Sequence, residues 1–233
     1  MNSRKHTPFF PLYGMLSQNR SSIILQRRGS SMQESLLKIL DGYHIFREKY
    51  THGDSSVMQQ LSDNGQKPKV MIVACCDSRV DPAVILQSNP GELFVVRNVA
   101  SIVPPYEKDG THHGTSAALE FGVCFLKIEH LILLGHSQCS GIQALLNDKD
   151  VYPNDFITNW VSIIKACNVT EPSVDGCVKM SLNQSYDNCL TFPWIREKIS
   201  QNKLIVHRWF FEIKEGQIYT YSGLDKKYLP LIG

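Results

Sequence analysis

The chain has 233 residues, of which 42% are hydrophobic and 20% are charged, and its formal net charge is +2. This length can bury a substantial core and fits one large domain or a domain with appendages. The near balance of charge excludes a strong field for binding nucleic acid or an anionic membrane surface. No apolar run approaches the roughly 20 residues of a membrane-spanning helix, so we expect a soluble protein that binds neither nucleic acid nor membranes.

Residues 1–31 differ in composition from the rest of the chain. They contain five basic residues, several serines and no acidic residue. Organelle transit peptides and disordered basic tails share this composition, and a mis-assigned start upstream of Met32 would also explain it. We expect residues 1–31 to be a basic, disordered extension of a cytoplasmic protein, with organelle targeting as the alternative if they act as a transit peptide.

Hydrophobic periodicity predicts helices and buried strands in alternation. Residues 32–50 have helical spacing, and a second short helix is expected around residues 57–61. Three apolar runs predict strands covered on both faces, and these are residues 70–74, which are rich in β-branched side chains, 93–96 and 130–135. Helical segments follow them at residues 81–87, 116–126 and 141–146. The alternation favours βαβ units and a parallel sheet flanked by helices.

The last third of the chain has a different pattern. Residues 155–167 and 178–200 are predicted to be mostly helical, with interruptions at prolines. Residues 204–213 and 217–221 predict two strands joined by a tight turn. The predicted fold is therefore α/β, with a mostly parallel β-sheet flanked by helices and a C-terminal antiparallel strand.

Two polar clusters follow two of the predicted buried strands. Residues 75–79 (Cys-Cys-Asp-Ser-Arg) come after the first strand, and residues 136–139 (His-Ser-Gln-Cys) come after the third. Because binding sites of parallel sheets gather beyond the carboxyl ends of the strands, we expect the two clusters to converge. Cys75, His136 and Cys139 would then offer two thiolates and one imidazole.

This set of ligands suits zinc. Soft sulfur together with imidazole selects zinc over hard cations, and a Cys₂His set leaves one tetrahedral position open. A catalytic zinc needs that position for a bound water, whose pKa it lowers to about 7. Singly, Cys75 and Cys139 could be buried thiols or a redox pair, and His136 a core histidine; together, the three favour zinc. The seven cysteines are odd in number and irregularly spaced, which argues against a disulfide framework.

The two clusters resemble the signature motifs of the β-class carbonic anhydrases, as Cys75-x-Asp77-Ser-Arg79 and His136-x-x-Cys139. The resemblance covers about residues 32–221. It includes residues 90–100 (Pro-Gly-Glu-Leu-Phe-Val-Val-Arg-Asn-Val-Ala), 103–106 (Val-Pro-Pro-Tyr) and 209–213 (Trp-Phe-Phe-Glu-Ile). It implies a single zinc-dependent catalytic domain over residues 32–233. It also implies reversible hydration of carbon dioxide to bicarbonate and a proton by zinc-bound hydroxide.

By this resemblance, Cys75, His136 and Cys139 hold one Zn²⁺ per subunit. Asp77 accepts a hydrogen bond from the zinc-bound hydroxide, and Arg79 pairs with Asp77 and keeps it ionised and oriented. In some members of the family, the counterpart of Asp77 instead binds zinc in a closed, inactive form with the arginine pair broken.

Three further residues correspond to substrate-binding positions of the family. Gln66 matches a glutamine that donates a hydrogen bond to substrate from the partner subunit. Phe94 and Val99 match apolar pocket residues that would give carbon dioxide an apolar seat, although both equally fit simple sheet core. The resemblance also implies a homodimer or a dimer-built oligomer, because the helix of residues 32–50 has an apolar stripe without a predicted partner in its own chain.

Three residues depart from the family pattern. Ser140 follows the second cysteine where glycine is usual, Phe121 replaces a common tyrosine, and Ile72 stands where bicarbonate-inhibited members carry tryptophan. None of the three is a candidate zinc ligand. The departure at Ile72 makes an inhibitory bicarbonate site doubtful in this chain.

Two other functions are compatible with the motifs. The same scaffold could hydrolyse carbon disulfide or carbonyl sulfide, since such relatives differ in how the mouth of the pocket is narrowed. The chain could also be a zinc-stabilised binding protein with vestigial chemistry. The presence of both Asp77 and Arg79 weighs against the second alternative, because a structural zinc needs neither.

Overall fold

The computed structural model describes residues 31–53, 56–109, 112–146, 156–164 and 173–231. Apart from Ser31, the extension predicted for residues 1–31 lies outside these ranges. The chain divides into two compact units between Gln60 and Leu61. In the described ranges, no helix combines the length and the apolar character needed to cross a membrane.

Helix α1 (Ser31–Thr51) belongs to the first unit, and α2 (Val57–Asn64) begins there. The predicted helix of residues 32–50 corresponds to α1, and Lys49 in its last turn suits the negative end of the helix dipole. Its large apolar side chains are exposed in the single chain, and these are Leu36, Ile39, Leu40, Tyr43 and Ile45. A surface helix normally buries such residues against a core, and the described residues of the first unit by themselves do not cover them.

A six-stranded sheet with the order β2-β1-β3-β4-β5-β6 organises the second unit. The strands are β1 (Val70–Cys75), β2 (Leu93–Asn98), β3 (His130–His136), β4 (Ile205–Glu212), β5 (Gln217–Ser222) and β6 (Lys227–Pro230). The first four strands in sequence pair in parallel. β1 and β3 are buried along almost their whole length, as apolar central strands covered on both faces should be. The predicted α/β fold with a mostly parallel sheet is confirmed.

The C-terminal edge of the sheet is antiparallel. β5 pairs with β4, as the predicted tight turn requires, and β6 then pairs with β5. Only the first of these two strands is predicted from the sequence. β6 has four residues, ends in Pro230 and is exposed at both ends, so its apolar pattern is too short to distinguish it from a loop.

Six further α-helices lie in the described part of the second unit. They are α3 (Pro82–Ile85), α4 (Gly114–Glu120), α5 (Ser140–Leu146), α6 (Phe156–Val161), α7 (Val174–Cys189) and α8 (Pro193–Ser200). Helical spacing predicts one α-helix over residues 116–126, whereas the chain changes to a π-helical turn at Phe121–Leu126. In that turn Gly122 lies against β1, where an added Cβ would be 2.6 Å from Met71 Sδ. This close tertiary contact is not encoded in the helical period.

Pairing between β1 and β3 decides where the polar clusters meet. The two strands are parallel and in contact, with Ala74 opposite Leu134, so the chain leaves the sheet at Cys75 and at His136 along one edge. Helix α7 approaches β3 at Gly135, where an added Cβ would be 2.7 Å from Val178 Cγ1. The two polar clusters therefore lie beside each other, as the sequence predicts.

Candidate zinc centre

Cys75, His136 and Cys139 come together beyond the carboxyl ends of β1 and β3. One ligand atom from each lies within 4.8 Å of the others, and all three residues are buried. The two sulfur atoms are 4.0 Å apart. No other cluster of three potential metal ligands occurs among the described residues.

The ring of His136 is oriented to offer one nitrogen to a metal. Its Nδ1 lies 2.9 Å from the carbonyl oxygen of Ser137, an acceptor that requires the proton on Nδ1. Nε2 then carries the lone pair, and in the described chain this buried atom has no hydrogen-bond partner. A buried nitrogen left without a partner is costly, and a zinc ion held jointly with the two sulfurs would satisfy it.

The pair of thiols loses its first proton readily and its second with difficulty. The hydrogen bond from Cys139 lowers the pKa of Cys75, and the same contact, with burial, raises the pKa of Cys139. Burial alone would lower the pKa of His136, but the neighbouring Cys75 sulfur and the Ser137 carbonyl raise it. A second thiolate in this buried place needs a cation beside it, so the donor set fits Zn²⁺.

Asp77 and Arg79 form a two-point ion pair at the mouth of the cluster. Arg79 donates from Nε to Asp77 Oδ1 at 3.0 Å and from Nη2 to Asp77 Oδ2 at 2.7 Å. The backbone N–H of Arg79 also donates to Oδ1 at 2.9 Å. These hydrogen bonds hold the pKa of the Asp77 carboxyl well below its usual range. Asp77 Oδ2 is 3.9 Å from His136 Nε2, so the carboxylate reaches the zinc ligands while paired.

Arg97 on β2 fixes the backbone of the first cluster, a role that the sequence analysis missed. Its Nε donates to the carbonyl oxygen of Cys75 at 2.8 Å, and its Nη2 donates to that of Asp77 at 2.7 Å. Its Nη1 pairs with Asp81, which also caps α3. The register that places Ala74 opposite Arg97 makes these bonds possible, and this register could be deduced only from the assembled sheet.

The turn from His136 to Cys139 is held from two further elements. Gln138 has a left-handed backbone with φ 54, and its N–H donates to Asp175 Oδ1 of α7 at 2.8 Å. Its carbonyl oxygen accepts from Arg79 Nη2 at 3.2 Å. Ser137 is bonded to the end of β4. Neither Asp175 nor the β4 residues that hold this turn can be identified from the sequence, because their bonds to it depend on the assembled fold.

A cavity of about 530 Å³ opens onto the cluster. Its lining residues are Cys75, Cys76, Asp77, Ser78, Arg79, Val99, Gln138, Ser140, Gly141 and Gln143. Val99 therefore lies in the cavity wall, where its carbonyl oxygen accepts from Trp160 Nε1 at 2.8 Å. A larger cavity of about 660 Å³ lies at the other ends of the strands, with Lys69 and His130 among its lining residues, and it contains none of the predicted site residues.

Gln66 and Phe94 do not line the cavity of this chain. Gln66 is exposed in the segment before β1. Phe94 is half-buried on β2, with its ring centroid 5.9 Å from that of Phe121. Of the residues that depart from the family pattern, Ser140 lines the cavity, and Ile72 is fully buried in the sheet.

Comparison with known proteins decides the family. A family model described as carbonic anhydrase matches residues 70–218, which include both motifs. Over 207 residues the chain is 35% identical to the chloroplastic beta carbonic anhydrase 5 of Arabidopsis thaliana, with 84% of this chain and 67% of the relative aligned. The chain belongs to the β-carbonic anhydrase family.

Solved structures agree with this assignment. The β-carbonic anhydrase CcaA superposes with a TM-score of 0.76 at 28% identity, covering 86% of this chain and 93% of CcaA. A tetrameric β-carbonic anhydrase of Sordaria macrospora gives 0.67 at 27% identity, covering 82% and 96%. This carbonic anhydrase is thus a zinc-dependent lyase that hydrates carbon dioxide. The family, activity and cofactor predicted from the sequence are confirmed.

Proposed function

We propose that this carbonic anhydrase hydrates carbon dioxide in the cavity beyond β1 and β3, with Cys75, His136 and Cys139 as its zinc ligands. The observation that carries the assignment is the buried, unpartnered Nε2 of His136, on a ring that offers a ligand atom within 4.8 Å of two cysteine sulfurs. When bound, zinc would act as a Lewis acid that makes water nucleophilic near neutral pH. Everything else at the site is supplied by the side chains around it.

Asp77 and Arg79 orient the attacking water in this proposal. Asp77 is ionised and can only accept hydrogen bonds, so it selects the orientation in which the water donates to it. Arg79 occupies both carboxylate oxygens and ties them to the Gln138 carbonyl, which prevents the carboxylate from rotating toward the metal. The intact ion pair therefore supports the open rather than the closed form of the site.

The substrate is seated against apolar side chains in this proposal. Val99 supplies the wall within the same subunit, because it lines the cavity. Gln66 and Phe94 are outside the cavity of their own chain, so their proposed substrate contacts would be made in the cavity of a neighbouring subunit. Carbon dioxide has no charge and little polarity, so its transfer from water to a site beside an apolar wall costs little free energy.

We propose a homodimer as the assembly unit, with larger oligomers built from it. The apolar side chains of α1 are exposed in the single chain, and so are Val95 on the edge strand β2 and the stacked pair Phe121 and Phe125. Apolar surface of this extent marks an interface more often than bare solvent contact. The Sordaria macrospora relative is tetrameric, which fits a dimer-built assembly.

The proposed location is the cytoplasm, with residues 32–233 as one catalytic domain and residues 1–31 as an extension that takes no part in the chemistry. Every proposed site residue lies between Gln66 and Cys139, well beyond the extension. The alternative is an organelle, and similarity to a chloroplastic relative together with the basic composition of residues 1–31 supports it.

Stopped-flow hydration of carbon dioxide, with zinc assayed on the same sample, tests the proposed site. We expect about one zinc per subunit and a rate that rises between about pH 6.5 and 9, because the attacking water must lose a proton. Bound zinc without hydration at any pH would contradict the proposal. Turnover of carbon disulfide or carbonyl sulfide by that same sample would identify the alternative substrate.

Mixing two defective variants tests whether Gln66 acts across the subunit interface. Gln66→Ala, which keeps the zinc ligands, should lower kcat/KM about 10-fold or more through the lost hydrogen bond. Cys139→Ser keeps Gln66 but lacks a ligand. Random exchange of subunits should form heterodimers in about half of the population, each with one intact site, and restore about a quarter of the wild-type activity.

The matched control mixes Cys139→Ser with Cys75→Ser, a pair that leaves every site without a ligand and should stay inactive. If the mixture with Gln66→Ala also shows no gain after subunit exchange is verified, Gln66 does not serve the partner's site.

A further inference from the structure

Ser137 lies between two candidate zinc ligands in sequence and is anchored at every polar atom. Its side chain and backbone are buried, with 1% of its surface exposed. Its N–H donates to the carbonyl oxygen of Phe211 at 3.0 Å, and its own carbonyl oxygen accepts from His136 Nδ1 at 2.9 Å. Its hydroxyl both donates and accepts. The peptide that orients the His136 ring is therefore fixed by residue 137.

The hydroxyl of Ser137 is fixed in turn by the end of β4. It donates to Glu212 Oε1 at 2.9 Å and accepts from the N–H of Ile213 at 3.0 Å. Glu212 Oε1 also accepts from the N–H of Lys214 at 3.1 Å. One carboxylate oxygen thus joins the turn after β4 to the serine beside His136, and Glu212 itself is only half-buried and lies outside the cavity.

We propose that Glu212 is a positioning residue of the zinc centre, acting through Ser137 to hold the His136 ring with its proton on Nδ1 and its lone pair on Nε2. The inference rests on the proposed function, because it assumes that Nε2 of His136 binds zinc. Glu212 touches neither substrate nor ligand. Its effect passes along two hydrogen bonds, from carboxylate to hydroxyl and from carbonyl oxygen to imidazole.

The chemistry of the contact makes the role specific. A serine hydroxyl can rotate, but the acceptor at Glu212 and the donor at Ile213 leave it one arrangement. The Ser137 carbonyl bonds the ligand directly, and the loss of such a direct partner commonly changes metal affinity by about 10- to 100-fold; Glu212 lies one hydrogen bond further away, so its effect should fall at the lower end of that range. Both hydrogen bonds to Glu212 use the same oxygen. A glutamine at this position keeps that acceptor and loses only the charge.

The test compares Glu212→Ala with Glu212→Gln. Zinc affinity is measured by competition with a chromogenic chelator, and the coordination sphere is examined by the visible absorption of the cobalt(II) form. We expect Glu212→Ala to bind zinc about 10-fold more weakly, with altered cobalt bands, and Glu212→Gln to recover most of the affinity. Nitrogen-15 shifts of the His136 ring in the zinc form report whether Nδ1 keeps its proton.

The matched control is Glu215→Ala, which removes a carboxylate from the same turn, where it accepts from the Tyr219 hydroxyl at 3.1 Å. It should leave zinc affinity and the cobalt spectrum unchanged. Ser137→Ala removes the relay from the other side and should reproduce the weakening even if Glu212→Ala folds poorly. If both Glu212→Ala and Ser137→Ala kept wild-type zinc affinity and cobalt spectra, the role of Glu212 would be overturned, while the proposed zinc site would stand. Failure of the wild-type chain to bind zinc would overturn the proposed site as well.

Discussion

Replacing Cys139 with serine should remove zinc from the purified enzyme and lower kcat/KM for carbon dioxide hydration by about 1,000-fold, or ~4 kcal/mol of transition-state stabilisation. A serine hydroxyl has nearly the shape of the thiol but does not ionise near neutral pH, so the third ligand is lost with little change in packing. The remaining pair, Cys75 and His136, cannot enclose a tetrahedral ion. Metal content and stopped-flow rates measured on the same preparation give the result.

Cys124→Ser is the control for this substitution. Cys124 is half-buried in the π-helical turn and is outside the ligand cluster, and burial raises the pKa of its thiol. Its replacement should leave zinc content and rate near wild type. A Cys139→Ser enzyme that retained one zinc per subunit and full activity would show that the metal is held elsewhere.

Replacing Asp77 with asparagine should lower kcat/KM by roughly 100-fold while zinc remains bound. The amide presents N–H groups where Arg79 donates, so the two-point ion pair breaks and the carboxylate that orients the attacking water is lost. Because none of the three ligands changes, metal content should stay at one zinc per subunit. Activity and metal content therefore separate in this variant, whereas Cys139→Ser loses both.

Two further variants test whether the loss of activity in Asp77→Asn comes from the loss of the ion pair with Arg79. Asp225→Asn changes an exposed carboxylate that is bonded to Ser222 in a turn, and it should be neutral. Arg79→Lys keeps a positive charge but loses the planar fork, so it should cost about 10-fold, less than Asp77→Asn. If Asp77→Asn were as active as wild type, the proposed orienting role would be wrong, and Arg79 would be a purely structural partner.

The central part of the fold could be predicted because its residues follow simple rules. β1 and β3 are continuous apolar runs, and each ends in chemically unusual residues at the edge where parallel sheets bind ligands. Cys75 and His136 could therefore be placed together across 60 residues of chain. The type of each ligand, soft sulfur or imidazole, then indicated the metal.

The features that were missed depend on contacts that residue type does not reveal. The π-helical turn arises where Gly122 meets Met71 on β1, and no helical period predicts such a contact. Arg97 and Glu212 act on backbone carbonyls and a serine hydroxyl. Many residue types can donate to a carbonyl oxygen or accept from a hydroxyl, so only the assembled geometry distinguishes these two from ordinary surface charges.

The glycine before His136 has a consequence for how such sequences are recognised. Gly135 directly precedes the motif His136-x-x-Cys139, yet the atoms that exclude a side chain there are Val178 Cγ1 at 2.7 Å and Leu182 Cδ1 at 3.0 Å, both on α7. The glycine is thus required by helix packing, whereas the histidine and cysteine are required by metal binding. A genome search that demanded all of these letters would apply two unrelated filters at once. It would discard a chain with alanine at 135 and a smaller residue at 178, even though its three ligands were intact.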